Sequence, residues 1–89
     1  MSEIIWTDYM LYRAQLRGYD LATIEQIVRF SGERYFDTAT QRMVAIGRHV
    51  GQLVMIPYEQ EAETVTPVSI HATTRQQIHL RLQTGRFEP

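Results

Sequence analysis

Between Ser69 and Leu82 the chain reads SIHATTRQQIHLRL. This sets the imidazole of His71, the hydroxyls of Thr73 and Thr74, the guanidinium of Arg75 and the amides of Gln76 and Gln77 at one junction. The alternation up to His71 predicts a strand, with Ser69 and His71 on its polar side. Thr74 and Gln77 have the spacing of a helix capping box, so a last helix should begin at Arg75 and end at Gly85. The first N–H groups of a helix lack partners and carry the positive end of its dipole, which attracts anions. A phosphate held near Thr73, Thr74 and Arg75 is the chemistry this spacing allows. The same residues also suit a plain capped helix, in which Thr74 caps, Arg75 pairs with a nearby carboxylate and His71 lies at the surface.

Other groups could join them. Arg48 and His49 end an apolar run beside the Gly51 turn, where hairpin residues face solvent. Tyr58 ends the next run, and its phenol can donate to a phosphate or close the edge of a core. Arg13 and Arg17 stand one helical turn apart as a small basic stripe, suited to solvation or to pairing with Glu25 or Glu33. His79 lies four residues past Arg75 and could share its helical face. The histidines do not have metal-ligand spacing, since His71 and His79 are eight apart with no acidic partner nearby in the helix. No metal and no cofactor are expected.

Charge and cysteine usage narrow the function classes. The chain has no cysteine, which removes disulfides, thiolate metal sites and a cysteine nucleophile. Its net charge of −1 argues against a strong nonspecific nucleic-acid binder, whose affinity comes from excess positive charge. All nine basic residues are arginine, whose rigid fork matches phosphate or carboxylate in two-point contact. A compositional bias toward arginine explains the same fact. No apolar run approaches the roughly 20 residues of a membrane helix, and MSEIIWTDYM lacks the pattern of a secretory signal, so a cytoplasmic location and no membrane association are expected.

The elements that must position these groups follow from periodicity and punctuation. EIIWT, residues 3–7, predicts a short strand, and Thr7 or Asp8 then caps a helix over 8–17 that Gly18 ends. Asp20 caps a second helix in which Leu21, Ile24, Ile27 and Val28 recur at helical spacing, ending near Ser31 and Gly32. Strands follow near 34–37, 42–48 and 52–58, then a solvated glutamate-rich loop at 59–64, then a strand over VTPVSIHA. Met43–Ile46 and Leu53–Ile56 are apolar at every position, which implies cover on both faces or a partner over one of them. The expected core takes in Ile5, Trp6, Leu21, Ile24, Ile27, Val28, Val44, Ile46, Val54, Ile56, Val68, Ile70, Ile78 and Leu82. The expected fold is therefore one α+β domain over residues 1–89. It has an antiparallel sheet of about four strands, two N-terminal helices and a C-terminal helix, in the order β-α-α-β-β-β-β-α.

This order, with YRAQLRGYDLATIEQIV at 12–28, RYFDTATQRMVAIGRHVGQLVMIPY at 34–58 and IHATTRQQIHLRL at 70–82, resembles the RelE/ParE superfamily of toxins, its BrnT-like branch above all. Arg13, Arg17, Gly18, Gly47, Arg48, Ala72, Thr73, Thr74 and Arg75 carry the likeness. The chain departs from it in lacking lysine and in having Asp8-Tyr9 where relatives often have histidine. The resemblance implies a metal-independent endoribonuclease of a toxin–antitoxin pair, with RNA and a cognate antitoxin as partners. Its catalytic groups would come from His71, Arg75, Arg48, His49 and Tyr58, while Arg13, Arg17, Thr73 and Thr74 would contact RNA. The alternative is a non-catalytic relative that keeps the fold as a protein-interaction module. Strands apolar on both faces in so short a chain also lead us to expect a homo-oligomer.

Overall fold

Two of the three helices start by the same local device. Thr7 accepts a hydrogen bond from the Met10 N–H and Thr74 accepts one from the Gln77 N–H, each at 3.1 Å, so each hydroxyl satisfies an N–H that the helix itself cannot. In the computed structural model, which describes residues 2–89, they open α1 (Asp8–Arg17) and α3 (Arg75–Gln83). Gly18, at φ 73°, ends α1 in the left-handed conformation that glycine adopts without steric cost. The helix α2 (Leu21–Phe30) begins differently, because Asp20 makes no side-chain cap bond and its own N–H donates to His49.

The fold is α+β, with three helices and one mixed sheet of seven strands among the described residues. These are β1 (Glu3–Ile4), β2 (Arg34–Asp37), β3 (Arg42–His49), β4 (Gln52–Gln60), β5 (Thr64–Pro67), β6 (His71–Ala72) and β7 (Phe87–Glu88). The spatial order is β1-β5-β4-β3-β2-β7, with β6 beside β4 on the edge that β5 also uses. All pairings are antiparallel except β1 with β5. The expected antiparallel sheet of about four strands is thus a mixed sheet of seven, because β1 joins it parallel to β5 and because the chain departs from the expected bounds at three places. The glutamate-rich loop is shorter than expected, covering only 61–63, since β4 runs on to Gln60 and β5 begins at Thr64. The strand expected over 65–72 is split, and Val68–Ile70 lie between its two parts. Past Gly85 the chain folds back as β7 against β2, a strand that no periodicity marked. The last helix also ends two residues before Gly85, at Gln83.

Directly opposed residues in an antiparallel pair share a face. Ala45 with Ile56 and Gly47 with Val54 therefore point one way, while Val44 with Pro57 and Ile46 with Met55 point the other. The first face meets α1 and α2 through Met10, Ala14, Ile24, Ile27 and Val28. The second meets α3 and β7 through Ile78 and Phe87. The apolar runs of β3 and β4 are thus covered on both sides by helices of the same chain, and the surface that led us to expect a second copy is occupied from within. Ile5, expected in the core, is 38% exposed, because β1 stops at Ile4 on the sheet edge. Among the described residues no helix is long and apolar enough to cross a membrane.

One close approach fixes α2 on the sheet. A Cβ at Gly47 would lie 2.6 Å from Ile27 Cγ1 and 2.8 Å from its Cγ2. Both atoms sit on a stiff β-branched carbon, so the side chain cannot swing clear. Gly47→Ala should therefore destabilise the fold by about 1–3 kcal/mol, read as a lower urea midpoint at unchanged slope. A wild-type midpoint would mean that α2 is not seated on Gly47 as described.

Candidate functional site

His71 lies opposite Met55, so it projects toward the α3 side of the sheet, at the edge where β6 ends the pairing of β4. Beyond Val65 the outer edge of β5 and β6 has no strand beside it, because β1 pairs only with Thr64 and Val65. Side chains from α1 fill that gap. Arg13 Nε donates to the Ile70 carbonyl at 2.8 Å, and the same guanidinium places a terminal nitrogen 3.0 Å from His71 Nδ1. A guanidinium only donates, so Nδ1 accepts and the ring proton sits on Nε2. Burial pushes the His71 pKa below its ordinary 6.5, and the charges of Arg13, Arg17 and Arg81 push it further in the same direction. The imidazole is held neutral among cations.

Four of the chain's nine arginines are engaged with carboxylates. Arg29 pairs with Glu25 at 2.8 Å, Arg42 with Glu59 at 3.2 Å, Arg75 with Glu33 at 2.6 Å and Arg86 with Asp37 at 3.1 Å. Among the described residues the other five make no such ion pair: Arg34 donates to the Ser31 carbonyl and to Tyr58, Arg48 donates to the Gly51 carbonyl, and the charges of Arg13, Arg17 and Arg81 reach His71. Two layers of the fold contribute them, α1 from one side of the sheet and α3 from the other. A mobile anion entering here would find guanidinium donors and an Nε2–H with no carboxylate competing for them. No family model, curated protein or solved structure matches the chain. The chemistry of this edge therefore rests on its own geometry.

The other residues singled out in the sequence go elsewhere. Arg75 donates to both carboxylate oxygens of Glu33, at 2.7 and 2.6 Å, and Tyr35 donates to the same carboxylate at 2.6 Å. Burial raises the Glu33 pKa, but the bonds from Arg75 and Tyr35 outweigh it and the net direction is down. Arg75 is thus engaged at the start of α3. Thr74 caps the helix, and the buried Thr73 hydroxyl donates to the Gln77 side-chain oxygen at 3.1 Å. The expected capping box is split between two threonines, and both hydroxyls are used within the fold.

Arg48 is exposed and donates to the Gly51 carbonyl at 3.0 Å, as a hairpin residue does. His49 is not solvent-facing as expected. It is buried, accepts from the Asp20 N–H at 2.9 Å through Nε2, and meets the edge of Tyr19 at 5.1 Å, which ties the start of α2 to the hairpin. Tyr58 is buried on the α1/α2 side, where its oxygen accepts from Arg34 at 2.9 Å. No hydrogen bond or ion pair among the described residues joins His71 to Arg75, Arg48 or Tyr58. Arg13 and Arg17 do reach His71, rather than pairing with Glu25 or Glu33, whose carboxylates Arg29 and Arg75 take. Arg81 went unnoticed in the sequence, and no local signal marks it, because its role depends on how α3 docks. Among the described residues no three histidine or carboxylate side chains converge as metal ligands would.

Proposed function

We propose that the chain acts in the cytoplasm as a toxin-like endoribonuclease that uses no metal and has a cognate antitoxin as partner. Its phosphate-facing centre is the Arg13–His71 pair with Arg17 and Arg81. The observation that carries this reading is a neutral imidazole bonded by the Arg13 guanidinium and lying in the field of Arg17 and Arg81, none of the three paired with a carboxylate. RNA cleavage without metal needs a base for the 2′-hydroxyl and cations for the charge that builds on phosphorus. An incoming phosphate competes for the Arg13 guanidinium and frees Nδ1. Nδ1 takes the 2′-hydroxyl proton, the 2′-oxygen attacks phosphorus, the bond to the 5′-oxygen breaks, that oxygen is protonated from water, and the hydroxide left behind takes the proton back from the imidazolium. The products are a 2′,3′-cyclic phosphate and a free 5′-hydroxyl. The likeness to RelE/ParE toxins agrees with this chemistry but places more weight on Arg75, Arg48 and Tyr58 than the contacts described above support.

Expression of the chain should slow growth, and the purified protein should cut RNA in the presence of a chelator, leaving cyclic phosphate ends. Arg81→Gln should lower the cleavage rate about 10² to 10³-fold, as for loss of one preorganised transition-state donor, with only the small loss of stability, about 0.5–1 kcal/mol, that goes with its contact to the Phe87 ring. A wild-type chain that neither slows growth nor cuts free or ribosome-bound RNA would end the nuclease reading. The second reading, a protein-interaction module without catalysis, is favoured by the closure of Arg75 on Glu33 and by the net charge of −1. That outcome would leave it standing.

A further inference from the structure

Successive residues of an α-helix turn by about 100°, so the side chains of α1 can be placed around its axis from Met10 and Ala14, which face the core. Arg17 and Arg13 border the buried face on one flank. Leu16 and Tyr9 come next, and Tyr12 lies furthest from the core. Tyr9 is four residues before Arg13, and Leu16 is three after it, so both are its neighbours on the helix surface. Tyr9, Tyr12 and Leu16 are 55%, 63% and 61% exposed. Scattered apolar side chains on a surface need no explanation, but three adjacent ones do. Leu11, 39% exposed, lies on the opposite flank of α1, while Phe30, Val50 and Leu80 stand singly elsewhere in the fold.

We infer that α1 is a stacking platform for single-stranded RNA, with a phosphate against Arg13, Arg17 and His71 and the neighbouring bases on the rings of Tyr9 and Tyr12. The inference rests on the reading of the His71 edge as phosphate-facing, and it names the form of substrate that edge would take. Three features favour RNA over a protein partner. The arginines beside the rings lack carboxylates, so they suit a polyanion. Two of the three exposed groups are aromatic, and every base offers a face to an aromatic ring. A single helix presents a convex rib, which gives rings to stack on, whereas a partner helix needs a groove to fill. The strand must be single, because paired bases in a duplex are already stacked and out of reach. Stacking ignores the sugar, so a DNA strand satisfies the platform equally, and the 2′-hydroxyl chemistry at His71 selects RNA.

The test is fluorescence anisotropy with a dye-labelled 2′-O-methyl single strand, which keeps bases and backbone but resists cleavage, measured over a salt series. Tyr9→Ala and Tyr12→Ala should each weaken binding by about 5- to 150-fold without changing the salt slope. Tyr9→Phe and Tyr12→Phe should bind as wild type, and both side chains are exposed enough for all four variants to leave the thermal melt unmoved. Arg13→Gln and Arg17→Gln should each reduce the salt slope by about one. An unmodified DNA strand should bind comparably and remain uncut, and its cleavage would overturn RNA as the substrate. Tyrosine variants that bind like wild type, or a duplex that binds as well as the single strand, overturn the platform alone when the arginine variants still weaken binding. Failure of the single strand to bind wild type, with self-association abolished by Leu16→Glu, would assign α1 to protein contact instead. If arginine variants have no effect and unmodified RNA stays intact, the phosphate-facing reading itself fails.

Discussion

Phe87→Ala is expected to cost about 3–5 kcal/mol of unfolding free energy, the range for deleting a fully buried aromatic side chain. Phe87 is 1% exposed in the cluster under α3, stacks on Tyr35 at 5.6 Å with the planes 16° apart, and carries the Arg81 guanidinium 5.6 Å above its ring. It also anchors β7, a strand only two residues long, so its packing replaces the ladder that a longer strand would supply. Next to it, Arg86 donates to both oxygens of the buried Asp37 carboxylate, at 3.1 and 3.2 Å. Burial pushes the Asp37 pKa up, yet bonds from Arg86 and from the Ala39 and Thr40 N–H groups outweigh it and the net direction is down. Loosening β7 would weaken that pairing and leave a buried charge poorly compensated. Domains of this kind are stable by about 5–15 kcal/mol in total, so the loss takes a large share. Urea denaturation checks it, with Leu80→Ala, exposed on α3, as the reference expected within about 0.5 kcal/mol of wild type. Equal midpoints for the two variants would remove β7 from the core.

What could be read in advance was what depends on neighbours in sequence. The bounds of α1 follow from Thr7 and Gly18, and β2 from its flanking turns, because caps and turns are local chemistry. The faces of β3 and β4 were not legible, since a run that is apolar at every position carries no alternation to assign. The strand β7 was hidden for a simpler reason. Two residues hold no period, and pairing with β2 is decided some fifty positions away. The same division runs through the site. His71 and the two arginines of α1 stood out by residue type and spacing, but their meeting across 58 positions of sequence is tertiary. Arg75 and the two threonines were conspicuous because helix starts look alike whether they hold a ligand or only themselves. Here Glu33 takes the Arg75 donors, and Gln77 accepts from Thr73 and donates its N–H to Thr74.

On the proposed chemistry, His71→Gln should lower RNA cleavage by about 10² to 10⁴-fold, the usual contribution of a positioned base. The size of the loss does not by itself identify a base, but the pH profile does. The folded-state pKa of His71 lies below its ordinary 6.5, so the acid limb of kcat/KM should fall below that value, with activity lost as the ring gains its proton. Stability follows the same sign. The unfolded chain binds the proton more readily, so the His71 contribution is complete above about pH 6.5 and is lost as pH falls through the lower folded pKa. Arg13→Gln removes both a charge beside the ring and the guanidinium donor on Nδ1, while burial, the largest cause of the shift, remains. Its acid limb should therefore move up toward 6.5 without vanishing, which a purely structural role for Arg13 would not produce. His71→Gln, by contrast, should abolish the limb and flatten the residual rate. A His71→Gln protein that kept a wild-type acid limb would show that the proton is taken by another group, and the edge of β6 would then be an anion site without a base.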